Sequence, residues 1–131
     1  MSTTIDRKRA PKAAGHNLSP AAVRVFERIA EAWGLTVPER ETLLDLSRST
    51  YYRVRMHPEG AALSETTLDR ISYVLGIYKA LHILYTDDAY ADRWIERPNA
   101  WCGGRPAKDL IVSGKIEALI NLRRYLDAER G

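Results

Sequence analysis

Hydrophobic residues recur at three- and four-residue intervals along most of the chain, whereas alternating runs of β-branched residues are absent. The first such period follows the pair Ser19-Pro20, which is typical of a helix start, and ends at Gly34, which is typical of a helix end. Residues 1–17 are polar and contain Pro11 and Gly15 without a helical period, so they are predicted to form a flexible basic tail. The pattern predicts an all-α fold.

Two short helices with a tight connection are predicted next. Thr36 and Glu39 have the spacing of a capping box, and Ser47 can cap a following helix in which Tyr51 and Val54 face inward. Two helices joined in this way form a helix-turn-helix, whose second helix enters the major groove of DNA.

A long helix is predicted from Ser64 to about Tyr85. Its apolar stripe is wide enough to require burial on two sides, and Gly76 within it permits a bend or a close approach by another helix. Thr86 or Asp87 is expected to cap the helix that follows.

The rest of the chain is predicted to form a small helical domain. It comprises a helix that includes Trp94, a loop over residues 99–105, a short helix from Pro106 to Gly114, and a last helix. The predicted organisation is a tail over residues 1–17, a helix-turn-helix region over 18–62, and the long helix with the C-terminal domain over 63–131. A fragment beginning near Leu63 is expected to fold, because the C-terminal helices can cover the long helix.

The net charge of +3 is unevenly distributed, since the whole excess of positive charge lies within residues 1–60. A basic first half indicates a polyanionic partner, and a neutral second half indicates a protein partner. The single cysteine, Cys102, excludes an internal disulfide framework and favours a cytoplasmic protein. Neither a secretory signal nor a membrane span is expected, because the most apolar run, residues 73–85, is short and contains Lys79 and His82.

The second helix of the predicted helix-turn-helix has no acidic residue between Leu46 and His57. Arginine and hydroxyl side chains are the groups that bind phosphates and guanine, so this face is predicted to contact DNA. The alternative is a solvated helix face that happens to be basic, and Asp45 stands where such turns usually have glycine. The predicted DNA-binding residues are Arg48, Ser49, Thr50, Tyr52, Arg53 and Arg55.

The loop around Trp101 is the second unusual region. Tryptophan and arginine anchor protein interfaces, and the Gly103-Gly104 pair allows close backbone approach, but Trp94 and Trp101 could equally fill the domain's own core. The three histidines are isolated from one another and no metal-ligand spacing occurs. An enzyme is therefore not expected, and neither is a cofactor, a metal or a small-molecule substrate.

Several separated motifs in a fixed order carry a resemblance to a known family. They are residues 75–85, Trp94-Ile95, Arg97-Pro98-Asn99, Gly103-Gly104-Arg105-Pro106, Gly114 and residues 124–131. With these motifs the chain resembles the MbcA/ParS/Xre antitoxins over roughly residues 20–131.

The resemblance implies an antitoxin that forms homodimers and larger hetero-oligomers with its toxin, represses its own operon by binding operator DNA, and covers the active site of a RES-domain toxin that degrades NAD. The alternative is a stand-alone helix-turn-helix repressor with a C-terminal dimerisation domain. Family members more often have phenylalanine before the glycines, where this chain has Ala100-Trp101-Cys102. The resemblance and the interface argument together predict a set of toxin-binding residues. They are Trp94, Asn99, Trp101, Gly103, Gly104, Arg105, Arg123 and Tyr125.

Overall fold

The computed structural model describes the backbone of residues 4–131 and the side chains of residues 18–131, and the predicted basic tail lies outside the described side chains. The described backbone is about 75% helical, with seven α-helices, which confirms the all-α prediction. These are α1 Thr4–Ala32, α2 Val37–Leu44, α3 Arg48–Met56, α4 Glu65–Leu84, α5 Asp88–Arg93, α6 Lys108–Ile111 and α7 Ile116–Glu129. None of the helices in this part of the chain is long and apolar enough to cross a membrane.

Local capping signals fix most of the helix starts. Thr36 and Glu39 form the predicted capping box at α2, while Ser47 and Ser64 each accept a backbone N–H at the start of α3 and α4. Asp87 accepts from two backbone N–H groups at the start of α5. These caps satisfy amide groups that would otherwise lack a partner in the first helical turn.

The predicted helix start at Ser19 is wrong, because α1 already runs through this residue. Ser19 is fully buried, and its hydroxyl accepts the backbone N–H of Leu63 at 3.0 Å. The residue therefore attaches α1 to the segment before α4 instead of capping a helix.

Helix α4 lies at the centre of the molecule, with α1 on one side and α7 on the other. This arrangement confirms the burial on two sides that its wide apolar stripe predicted. Val74, Ile77 and Leu81 of α4 are completely buried in one continuous core that also contains Trp33, directly after α1, and Leu122 of α7. Because both halves of the chain contribute to this core, α4 fixes the position of one half relative to the other.

The loop after α5 contains a small hairpin that the sequence pattern did not reveal. Its strands are β1 Pro98–Asn99 and β2 Arg105–Pro106, paired antiparallel with Asn99 opposite Arg105. Pro106 is thus extended, and the short helix that was predicted to start there begins at Lys108. Two-residue strands are too short to show an alternating pattern.

Candidate functional sites

Helix α3 presents a basic face to solvent. Tyr51 and Val54 point into the core as predicted, with 1% and 5% exposure, so the residues between them project outward. Of the predicted DNA-binding residues, Thr50 is half-buried and the other five are exposed: Arg48, Ser49, Tyr52, Arg53 and Arg55. The structure therefore places the guanidinium and hydroxyl groups where a duplex could reach them.

The connection between α2 and α3 is a tight turn through Asp45. Its φ of 57° and ψ of 46° lie in the left-handed region, which aspartate tolerates better than most residues other than glycine. The departure from glycine at this position is therefore compatible with a helix-turn-helix. Ser47 then donates to the Thr50 hydroxyl at 2.9 Å, so Thr50 contributes to the cap of α3.

A groove of about 690 Å³ separates the start of α2 from the outer side of α3. Val37 and Glu41 line it from α2, and Arg48, Tyr52 and Arg55 line it from α3. Tyr52 is 63% exposed, which is unusual for a large aromatic side chain and leaves its hydroxyl and ring free for a ligand.

A polar cluster that the sequence did not reveal lies beneath this face. Arg40 is 5% exposed, and its guanidinium donates to Glu27 at 2.9 Å and to Glu31 at 3.1 Å. The Tyr51 hydroxyl donates to the other oxygen of Glu27. Burial and this hydrogen bond raise the pKa of Tyr51 to about 12. Burial alone would lower the pKa of Arg40, but its interactions with Tyr51 and the two glutamates outweigh this effect and raise it.

The hairpin of residues 98–106 displays an aromatic pair. Trp101 is 41% exposed, and its ring stacks on that of Tyr125 from α7, with centroids 4.6 Å apart and planes 16° apart. The Asn99 side chain accepts the Trp101 backbone N–H at 2.8 Å, and Gly103 and Gly104 have φ of 71° and 86°. This turn holds Trp101 in place, so the stacked pair forms a preformed surface.

The other residues predicted to bind a partner protein occupy different positions. Trp94 is 7% exposed and belongs to the core, which favours the alternative that it fills the domain's own core over a contact with a partner. Arg105 is exposed and pairs with Asp109 at 2.9 Å. Arg123 is half-buried and lies 3.6 Å from Asp127, with its guanidinium packed over Gly76 of α4. Gly76 thus permits the close approach that was one of its two predicted roles.

Tyr85, Tyr90 and Arg97 form a second group of stacked side chains. The rings of Tyr85 and Tyr90 lie 5.0 Å apart, and the Arg97 guanidinium lies 4.2 Å from the centre of the Tyr90 ring. Tyr85 and Tyr90 are half-buried and Arg97 is exposed, an arrangement that the fold reveals and the sequence pattern did not.

The two ring nitrogens of His82 lie 3.1 Å from Asp88 and 2.8 Å from Asp92, an arrangement that attaches α5 to the end of α4. Burial and the nearby charge of Asp109 raise the pKa of the Cys102 thiol, which disfavours the reactive thiolate. Residues 18–131 contain no cluster of three side chains suited to holding a metal ion.

Comparison with known families identifies both halves of the chain. Residues 4–76 match the antitoxin Xre-like helix-turn-helix domain, and residues 80–131 match the antitoxin Xre/MbcA/ParS C-terminal toxin-binding domain. The chain belongs to the Xre antitoxin family. The antitoxin is also similar to the protein y4oB of Sinorhizobium fredii, with 39% identity over 113 residues that cover 86% of each chain.

The matches place each of the two surfaces in a domain of known type. The basic face of α3 lies in the helix-turn-helix domain, and the Trp101–Tyr125 pair lies in the toxin-binding domain. Neither matched family is a family of enzymes. Because one matched domain binds a toxin and the other is a helix-turn-helix, the partners of this antitoxin are a toxin and DNA.

Proposed function

We propose that the antitoxin neutralises a RES-domain toxin that degrades NAD, and that it does so by covering the active site of the toxin. The observation that carries this proposal is the stack of the exposed Trp101 on the half-buried Tyr125 within the toxin-binding domain. Large, rigid aromatic side chains supply much of the binding energy at protein interfaces, at little cost in conformational entropy.

We further propose that the antitoxin represses its own operon through α3. Arg48 and Arg53 supply positive charge for phosphates or guanines, and Tyr52 supplies an exposed hydroxyl. A homodimer would place two copies of α3 on successive half-sites of a palindromic operator, as is general for helix-turn-helix proteins. The proposed assembly with the toxin is therefore a hetero-oligomer that contains at least two antitoxin chains.

Co-expression with the product of the adjacent gene tests the toxin assignment. A RES-domain product should co-purify with the antitoxin and should deplete cellular NAD only when the antitoxin is absent. Trp101→Ala with Tyr125→Ala in the full chain should weaken protection, whereas Tyr73→Phe on α4 should not. Growth arrest without NAD loss would point to a toxin of another class.

A gel-shift assay with the region upstream of the gene tests the DNA assignment. Arg48→Ala with Arg53→Ala should weaken binding strongly while leaving toxin capture intact, because each contact contributes on the order of 1–3 kcal/mol. Binding by the unaltered chain should also fall as salt rises. Operator binding without any toxin partner would instead favour a stand-alone repressor.

A further inference from the structure

Glu27 of α1 connects to both helices of the helix-turn-helix. One carboxylate oxygen accepts from Arg40 of α2 at 2.9 Å, and the other accepts from the hydroxyl of Tyr51 of α3. The Nε of Arg55, one turn further along α3, lies 3.6 Å from the first oxygen. We call Glu27, Arg40, Tyr51 and Arg55 the Glu27 cluster. A single carboxylate thus contacts α2 once and α3 twice.

The cluster has little freedom to rearrange. Arg40 is almost fully buried, and each of its three guanidinium nitrogens donates a hydrogen bond: to the carbonyl of Leu35 at 3.0 Å, to Glu27 and to Glu31. The planar guanidinium fork imposes a fixed geometry on these partners. Hydrogen bonds between charged groups in a poorly solvated site are also stronger than those in water.

The contacts of Glu27 fix the rotation of α3 about its own axis. Tyr51 and Arg55 are four residues apart and both reach Glu27 of α1, Tyr51 from the core and Arg55 from the exposed edge of the helix, whereas Arg48, Tyr52 and Arg53 project to solvent. A side-chain tip lies about 6 Å from a helix axis, so a rotation of roughly 10° moves it by about 1 Å. Directional hydrogen bonds to bases weaken over such distances, whereas attraction between an arginine and a phosphate changes little.

We propose that Glu27 is a positioning residue for DNA recognition: through Tyr51 and Arg40 it holds α3 at the angle that allows base-specific contacts. This inference rests on the proposed DNA binding by α3. The cluster therefore determines discrimination between sequences more than affinity for DNA in general, because non-specific binding depends on charge alone.

Tyr51→Phe in the full-length antitoxin is the sharpest test. The ring that fills the core remains, and only the hydroxyl that reaches Glu27 is lost. Two duplexes are compared at one salt concentration: one selected by the unaltered chain from a random-sequence pool, and one shuffled duplex of equal length and composition. Affinity for the selected duplex should fall about tenfold. Affinity for the shuffled duplex should stay within about twofold, because the charges on α3 are unchanged.

Further variants separate positioning from loss of folding. Glu27→Gln should reproduce the selective loss, because Arg40 and Tyr51 donate to different oxygens of Glu27 and the amide replaces one of these acceptors with an NH2 donor. Tyr73→Phe removes a hydroxyl from α4 and should bind both duplexes like the unaltered chain. Equal losses on both duplexes, or unchanged discrimination in Tyr51→Phe and Glu27→Gln, would overturn the proposal. If the unaltered chain prefers no duplex, the proposed operator binding itself fails.

Discussion

At the scale of single residues, Trp94 and Trp101 have the same side chain and opposite environments. Trp94 is 7% exposed, whereas Trp101 is 41% exposed and stacks on Tyr125. Composition could not assign one to the core and the other to the surface, because tryptophan suits both positions. The hairpin over residues 98–106 determines which tryptophan is exposed, because it places Trp101 away from the core that contains Trp94.

The two tryptophans should respond differently to truncation. Trp94→Ala should lower the free energy of unfolding by about 3–5 kcal/mol, because it leaves a large cavity in the core. Trp101→Ala should lower it by less than about 1 kcal/mol, yet weaken toxin capture. Urea unfolding and pull-down of the toxin measure the two effects. Equal destabilisation by both substitutions would contradict the surface position of Trp101.

The raised pKa of Tyr51 predicts that the free energy of unfolding falls at alkaline pH. Its pKa is raised from 10.0 to about 12 in the folded chain, so folding favours the neutral phenol. The resulting stabilisation is fully present below pH 10 and is lost as the pH rises toward 12, by roughly 2–3 kcal/mol. Unfolding at a series of pH values should show this loss in the unaltered chain and in Tyr73→Phe, but a smaller loss in Tyr51→Phe. Identical pH profiles for all three would show that Tyr51 carries no such stabilisation.

At the scale of helices and strands, the success of prediction from the sequence depended on whether the signal was local. The starts of α2, α3 and α4 were predicted because Thr36, Ser47 and Ser64 bond to backbone groups within their own first turn. Ser19 has the same local signature, but its hydroxyl bonds to Leu63, which is distant in sequence. The Glu27 cluster was missed for the same reason, because charged residues on a helix usually indicate a solvated face.

Contacts between α2 and the turn before α7 join the two matched domains. Gly114 has a φ of 80°, and a Cβ on it would lie 2.8 Å from the methyl carbon of Thr42. Beside it, the guanidinium of Arg70 donates to the carbonyl of Leu43 at the end of α2 and to the carbonyl of Gly114. Glycine is therefore required here by both its conformation and its close packing.

Gly114→Ala should consequently destabilise the antitoxin more than Gly104→Ala. Gly104 has a φ of 86° but open space around it, so alanine there should cost about 1–2 kcal/mol of backbone strain. Gly114→Ala adds the steric contact with Thr42 to a similar strain. Adding Thr42→Ser to the Gly114→Ala chain removes the methyl group, and it should restore the part of the stability that is lost to this contact. Thermal unfolding of the unaltered chain, the two glycine variants and the double variant tests this. The same loss of stability from both glycine substitutions would show that the contact with Thr42 has no effect.

At the scale of the whole molecule, the antitoxin has two functional surfaces and one core. The matched domains meet within α4, which extends from Glu65 to Leu84, whereas the domain matches end at residue 76 and resume at residue 80. The distribution of charge along the sequence predicted different partners for the basic half and the neutral half, because charge can be read directly from composition. It could not reveal the shared core, which depends on how α1 and α7 pack against α4.

This shared core changes what we expect of a fragment beginning near Leu63. The cut removes α1 and α2, which cover one side of α4, and it removes the Ser19 and Leu43 groups that bond to Leu63 and Arg70. Such a fragment exposes core residues of α4 and leaves polar groups without partners, so it should lack a cooperative thermal transition. Circular dichroism during heating measures this directly. The activities should instead separate in the full chain, with Arg48→Ala and Arg53→Ala affecting DNA and Trp101→Ala affecting the toxin. A fragment that melts cooperatively and still captures the toxin would show that α7 and its neighbours suffice to cover α4.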